Sequence, residues 1–225
     1  MLFRSVSESI ASIYTVKYHI PFDVVRNLPF RFSPGESVSD SPNQEHRRVI
    51  IYQGALNMGR GLIQMIKAME YLPEMVFWIA GGGDEEQNLR ALVATMKLDN
   101  VKFLGRLPLE ELRHFTSQAD AGISLEEDMG LSYRYALPNK LFDYIQARIP
   151  VVVSNLPEMV RIVRLYGIGL ITSSHDPAEI AEVVRKALTD KNLRRVWKTN
   201  LEVAAADLNW EKEEKTVGKI FEKFL

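Results

Sequence analysis

Asn139, Lys140 and Asp143 in the stretch ALPNKLFDYIQARIPVVVSN fall within about one turn of an expected helix start, just ahead of an Ile-Pro step and three valines. Pro138 suits the first position of a helix, where its missing N–H costs nothing. Asp143 then shares a helix face with Asn139 and Lys140. A carboxylate near a helix N-terminus is expected to stay ionised. In that form it accepts two hydroxyl hydrogen bonds, the geometry that a ribose diol offers. An ammonium such as Lys140 meets phosphate as a point charge. An ordinary surface ion pair with a helix cap has the same spacing and contributes only a few tenths of a kcal/mol. Spacing alone does not choose between the two.

A second group lies in QGALNMGRG. Gly54, Gly59 and Gly61 allow a tight turn and close approach to a ligand. The helix start adds free N–H groups, and Arg60 adds a full charge. This suits a diphosphate, although the spacing is neither G-x-G-x-x-G nor a P-loop. A glycine-rich turn with a solvated arginine fits equally well. In AGGGDEE, Gly81 or Gly82 is a candidate pocket wall and Asp84 the expected helix cap, while the acids repel phosphate. The stretch LEEDMGLSYRYALPNK is a long polar and aromatic loop, of the kind that often carries function. Glu126, Glu127 and Asp128 are each read as solvated or as sugar-hydroxyl ligands, with solvation expected for each alone. Tyr133, Arg134 and Tyr135 line a nucleotide or sugar site or belong to a surface loop. His19, His46, His114 and His175 are too scattered for a metal cluster, and no metal is expected.

These loops are positioned by a regular alternation of elements. Residues 7–18 read as a short helix, PFDVV as a strand, and residues 26–48 as a linker with three prolines, which places a domain boundary near residue 45. Beyond it, RVIIYQG, MVFWIAGGG, VKFLG, AGISL, PVVVSN and IGLIT read as six strands, with helical spacing between them and three helices after the last. Near-continuous apolar strands suit a parallel sheet covered on both faces. The expected fold class is therefore α/β, an open, doubly wound parallel sheet. In such sheets ligands bind beyond the carboxyl ends of the strands, where these loops fall.

Composition narrows the chemistry. The 225 residues are 46% hydrophobic and 25% charged, with a net charge of -1. No global field draws the chain to nucleic acid or to an anionic membrane, so an anion must be held locally. The absence of cysteine removes disulfides and thiolate zinc sites. No apolar run approaches the roughly 20 residues that span a bilayer. A cytoplasmic location is expected, with association at the inner face of the membrane, through a partner or a missing part, left open.

Taken in order, YQGALNMGRGL, FWIAGGGDEEQNLRAL, VKFLGRLPLEELRHFTSQADAGISL, LPNKLFDYIQARIPVVVSNLPEM and LNWEKEEKTVGKIFEKF resemble the C-terminal, donor-binding half of a GT-B glycosyltransferase of the retaining group 1, or family 4, type. The resemblance covers almost the whole chain. It implies a Rossmann-like half of a GT-B fold, in which residues 1–45 are a remnant of the N-terminal acceptor domain with its linker and residues 46–225 bind the donor. It implies hexosyl transfer from a UDP- or GDP-sugar to a glycan or lipid-linked acceptor, as in polysaccharide biosynthesis, without cofactor or metal. The acceptor domain is expected to lie on a missing part of a protein about twice this length, leaving the fragment inactive alone. The implied catalytic residues are Arg60 and Lys140 at the diphosphate and Glu127 in the loop. The implied donor-binding residues are Gly54, Gly59, Gly82, Gly130, Asn139 and Asp143.

Three positions depart from the family pattern. Tyr135 stands where the first glutamate of the E-x7-E motif is expected, with Glu127 or Glu126 as substitutes and Gly130 as a source of backbone amides. Asp143 replaces the second glutamate, which binds the ribose. Ala55 stands where many relatives carry arginine. These departures keep a non-catalytic nucleotide-binding or interaction module in view. A GT-B-type nucleotide-sugar epimerase needs a histidine and acid pair that the sequence does not offer. A response-regulator-like domain needs acids clustered at the strand ends, which are also missing.

Overall fold

A computed structural model describes residues 3–32 and 47–222. The expected boundary near residue 45 and residues 33–46 of the expected linker lie outside the described residues. In the first segment, β1 (Arg4–Ser5) pairs in parallel with β2 (Asp23–Val24) around α1 (Glu8–Tyr18).

The main sheet is built from β3 (Arg48–Gln53), β4 (Met75–Ala80), β5 (Val101–Gly105), β6 (Ala121–Ser124), β7 (Val151–Ser154) and β8 (Gly169–Thr172). Its strand order is β5-β4-β3-β6-β7-β8, and every pairing is parallel. Every residue of β4 is buried, as is all of β3 beyond Arg48, because helices cover both faces. The helices are α2 (Leu62–Ala68), α3 (Glu86–Met96), α4 (Leu109–Gln118), α5 (Leu131–Arg134), α6 (Asn139–Gln146), α7 (Pro157–Tyr166), α8 (Pro177–Thr189), α9 (Lys191–Asp207) and α10 (Trp210–Glu222). Helix α2 packs on α3 and α8, whereas α6 packs on α4, α9 and β6. The doubly wound α/β fold expected from the strand pattern is the one observed.

Local chemistry sets several of the boundaries. Asp176 and Asp190 cap α8 and α9 by accepting the N–H groups of residues two and three positions on. Asp84 does not cap α3: the helix starts at Glu86, and Glu85 occupies the cap position without a side-chain bond. The cause is the neighbouring loop. Leu56 O accepts the Glu85 N–H at 2.9 Å, and Gly83 lies so close that a Cβ would stand 2.6 Å from the same oxygen. The chain is tied to loop 54–57 before the helix begins. The loop after β6 also contains a turn of helix, α5, where none was expected from its polar sequence.

The strand order reverses between β3 and β6, the adjacent pair at which a doubly wound sheet opens its binding crevice. These strands pair only at Ile50↔Ala121 and Ile51↔Gly122. Beyond that point the Tyr144 hydroxyl of α6 fills the split. It accepts the Gln53 N–H at 3.2 Å and lies 3.2 Å from Ile123 O and 3.3 Å from Ile51 O. Gly122 makes room for the ring, because a Cβ there would overlap the Tyr144 side chain.

Residues 3–32 dock on the main body. The buried Glu158 carboxylate accepts the Ser9 N–H at 2.9 Å, Glu213 accepts the Arg26 N–H at 2.6 Å, and Pro29 O accepts the Trp210 N–H at 2.8 Å. Among the described residues, no helix is long and apolar enough to cross a membrane. Gly122→Ala should overpack the Tyr144 ring. We expect a loss of about 1–3 kcal/mol of unfolding free energy, read from the urea midpoint with an unchanged slope.

Candidate functional site

The crevice at the switch point opens into a cavity of about 430 Å³. Gln53 and Gly54 form its floor at the end of β3, Arg60 enters from loop 54–61, and Asn139, Lys140 and Asp143 project from the start of α6. Gly54, with φ of 132°, turns the chain sharply out of the strand. Five of the residues singled out by sequence therefore meet in one place.

Glu126 organises the electrostatics, against the expectation of a solvated carboxylate. It lies two residues beyond β6 and is fully buried. Its Oε1 accepts Lys140 Nζ at 2.6 Å and lies 3.8 Å from Arg60 Nη1, while Oε2 accepts the Ser124 hydroxyl at 2.6 Å. The Ser154 hydroxyl donates to the Glu126 backbone carbonyl at 2.7 Å. Burial pushes the Glu126 carboxyl up, but the Lys140 charge and the Lys140 and Ser124 hydrogen bonds outweigh it and hold the group below its usual range. Burial also lowers the Lys140 ammonium, with Glu126 opposing that shift. Lys140 runs across the Tyr52 ring, 4.4 Å from its centre, and is 8% exposed. Arg60 rests 6.0 Å from the centre of the Tyr133 ring. Two cations face one carboxylate, so the cluster keeps one net positive charge beside the cavity.

Asp143 departs from its expected state. It is the fifth residue of α6, beyond the first turn where the macrodipole acts. Burial instead pushes its carboxyl up to about 6, with the Gln53 hydrogen bond and the Arg113 charge pulling the other way. Gln53 Nε2 donates to Asp143 Oδ2 at 2.8 Å, and Thr116 Oγ1 lies 2.7 Å from Gln53 Oε1. Sequence does not single out Gln53 and Thr116, and it offers Glu126 as a sugar-hydroxyl ligand or a substitute for the first glutamate, not as the partner of Lys140. A polar residue closing the apolar run VIIY is the signal that marks Gln53. Glu126 is marked by its place just past a buried strand.

The other expected residues lie around the site. Gly59 is buried under loop 125–134: a Cβ there would stand 2.5 Å from Met129 Sδ and 2.9 Å from the Tyr133 ring. Gly82 lines an adjoining cavity of about 450 Å³ that shares Gly54, Ala55 and Leu112 with the first. Gly130 precedes α5 with φ of 139° on the exposed side of the loop. Glu127 is half-buried and donates its backbone N–H to Gly59 O at 3.0 Å, while Glu126 holds the cations. Asp128 is exposed and pairs with Arg134 at 2.6 Å. Tyr135 lines a different cavity, next to α1 and Glu158, and its carbonyl accepts the Ser7 hydroxyl at 3.3 Å. Ala55 lines the main cavity, and its carbonyl accepts the Tyr52 hydroxyl at 2.7 Å. Neither His114 nor His175 lines that cavity.

Residues 36–203 match the family model for glycosyl transferases group 1. An uncharacterized glycosyltransferase of Methanocaldococcus jannaschii is 22% identical over 199 residues, which cover 86% of this chain and 50% of the relative. The chain thus spans about half the length of the curated relative it matches. Among solved structures, Anabaena Alr3699/HepE in complex with UDP and glucose superposes with a TM-score of 0.81 at 13% identity, over 99% of this chain and 63% of that one. Sucrose-phosphate synthase from Thermosynechococcus elongatus gives a TM-score of 0.81 at 18% identity, over 97% of this chain and 57% of that one. At these identities the likeness is one of fold.

Asp143 should leave a mark on stability. Its folded value of about 6 lies above the roughly 3.9 of an unfolded aspartate. The folded state therefore binds more protons between these values, and this group's contribution improves as pH falls from 7 to 4. Asp143→Asn keeps an acceptor for Gln53 and removes the buried charge. At pH 7 the variant should exceed wild type by about 2 kcal/mol in urea unfolding, and the gap should close towards pH 4.

Proposed function

The chain belongs to the glycosyl transferases group 1 family, and we propose that it is the donor-binding half of a retaining glycosyltransferase that uses a nucleoside diphosphate sugar. The observation that carries this reading is the convergence of Arg60, Asn139, Lys140 and Asp143 on one cavity at the strand-order reversal. The diphosphate lies against the Arg60 and Lys140 cations, and Asp143, braced by Gln53, accepts the ribose hydroxyls. The adjoining cavity beside Gly82 takes the part of the donor that extends past Gly54. UDP in the structurally similar Anabaena protein supports a uridine donor, with GDP as the other candidate.

In the reaction, the bond between the sugar anomeric carbon and the diphosphate oxygen breaks, and the diphosphate leaves with the electron pair. An acceptor hydroxyl forms the new bond to that carbon and passes its proton to the departing diphosphate oxygen. The leaving diphosphate gains charge as the bond stretches. Fixed cations stabilise that charge without reorganising, and the reading calls for no metal. Retention places the acceptor on the face from which the diphosphate departs. The sugar is a hexose, the acceptor is a glycan or a lipid-linked glycan, and its binding domain lies outside this half. Residues 1–45 are read as the remnant of that domain and its linker, and Glu127, Gly59 and Gly130 as the loop scaffold beside the sugar. The full-length protein works in the cytoplasm, at the inner face of the membrane where the acceptor is lipid-linked.

Titration calorimetry with UDP, GDP, ADP and their sugars tests the reading. A uridine or guanosine diphosphate should bind at micromolar concentrations. Arg60→Ala should weaken that binding more than about tenfold, the effect of losing a charge-assisted bond of about 1.4 kcal/mol. Unchanged affinity in Arg60→Ala would remove Arg60 from the site. Donor hydrolysis by the full-length protein separates a transferase from a module that only binds the nucleotide.

A further inference from the structure

Lys140 reaches the cavity through an unusual route. It is almost fully buried and passes over Tyr52 and beside Gly54, where a Cβ would stand 3.5 Å from its Cε. A cation in that position without a partner costs several kcal/mol and tends to lose its proton or leave. Its partner is Glu126, held on both oxygens and through its backbone by Lys140, Ser124 and Ser154. The same carboxylate faces Arg60. One anchored anion thus fixes the spacing of two cations that approach it from different loops.

We propose that Glu126 is a positioning residue whose buried carboxylate keeps Lys140 charged and aimed, with Arg60, at the place the donor diphosphate occupies. This inference rests on the donor-binding reading above. Glu126 does not touch the sugar; it acts through Lys140, and the donor arrives at a cation pair that is already assembled. The groups facing the Lys140 ammonium are Glu126 after β6, Arg60 before α2, and Tyr52 on β3, with Asp143 along α6. His175 approaches the same backbone from the start of α8, at 3.0 Å from Leu125 O. Between pH 7 and 9 Asp143 is ionised and Tyr52, raised by burial, is neutral. Lys140 is then the group in the cluster whose charge Glu126 governs.

The test is calorimetric binding of UDP and GDP to the 225-residue chain, from pH 7 to 9, in two buffers of different ionisation enthalpy. Wild type should show a flat affinity and no proton uptake. In Glu126→Gln the lysine loses its counter-charge and titrates at lower pH. Affinity should then fall from pH 7 to 9 by up to about tenfold, the effect of losing one charge-assisted contact, and binding should take up a proton. Glu126→Gln that binds as wild type does, or more tightly at every pH, overturns the proposal while leaving the donor reading intact. Wild type that binds neither nucleotide overturns both. If Glu126→Gln does not fold, Glu126→Gln with Lys140→Met removes both charges together, a change that buried pairs tolerate. The double variant should bind at least tenfold more weakly than wild type with no pH slope. Wild-type affinity in that variant also overturns the proposal.

Discussion

The site depends on the parting of β3 and β6. Two residue pairs hold these strands together, and from there they diverge because the connections on either side wind in opposite directions. Diverging strands leave backbone groups without ladder partners, and buried groups of that kind must find others. The Tyr144 hydroxyl supplies them, sitting among Ile51, Gln53 and Ile123. One aromatic side chain thus closes the base of the crevice and sets its depth. Much of the cavity wall stands on that plug. Gln53 and Gly54 come directly off β3, Glu126 off β6, and Lys140 and Asp143 flank Tyr144 on α6.

Charge inside such a crevice is expensive, and the protein meets the expense by keeping it local and nearly balanced. A chain with a net charge of -1 offers an anion little attraction at a distance. Beside the cavity an excess of one cation is built where Arg60 and Lys140 converge on Glu126. Asp143 lies on the opposite side of the balance. It is a carboxyl raised by burial that accepts from Gln53, whose own side-chain carbonyl accepts from Thr116. The cavity is polar at two separated points, one positive and one a weakened acid. A molecule that carries an anion and a diol some distance apart meets both demands.

Sequence reading reached the sheet and most of the cavity, because both are written in short-range pattern. VIIY, VFWIA and VVV are apolar without alternation, which only strands covered on both faces require. Glycines and the PNK turn mark where those strands end. What sequence did not show depends on distances across the fold. Glu126 looks like any acid in LEED until β7 brings Ser154 to its carbonyl and α6 brings Lys140 to its carboxylate. Asp143 looks like a first-turn acid until the helix start is fixed at Asn139, which leaves burial in control of it. Asp84 looks like a cap until Leu56 takes the neighbouring amide. The family resemblance reached the group 1 family and its parallel sheet, while the positions of Tyr135 and Ala55 belong to contacts that no local motif encodes.

The buried Gly59 has a consequence for how this region can change over evolutionary time. Met129 and Tyr133 rest where its side chain would be, Leu125 crowds Gly61 in the same way, and the Glu127 amide is bonded to the Gly59 carbonyl. Loop 54–61 and loop 125–134 are far apart in the chain, yet they share one seam. An insertion or a bulkier residue on either side of that seam needs a matching change on the other. Among homologues the two loops should therefore diverge as a linked pair, with Arg60 carried along.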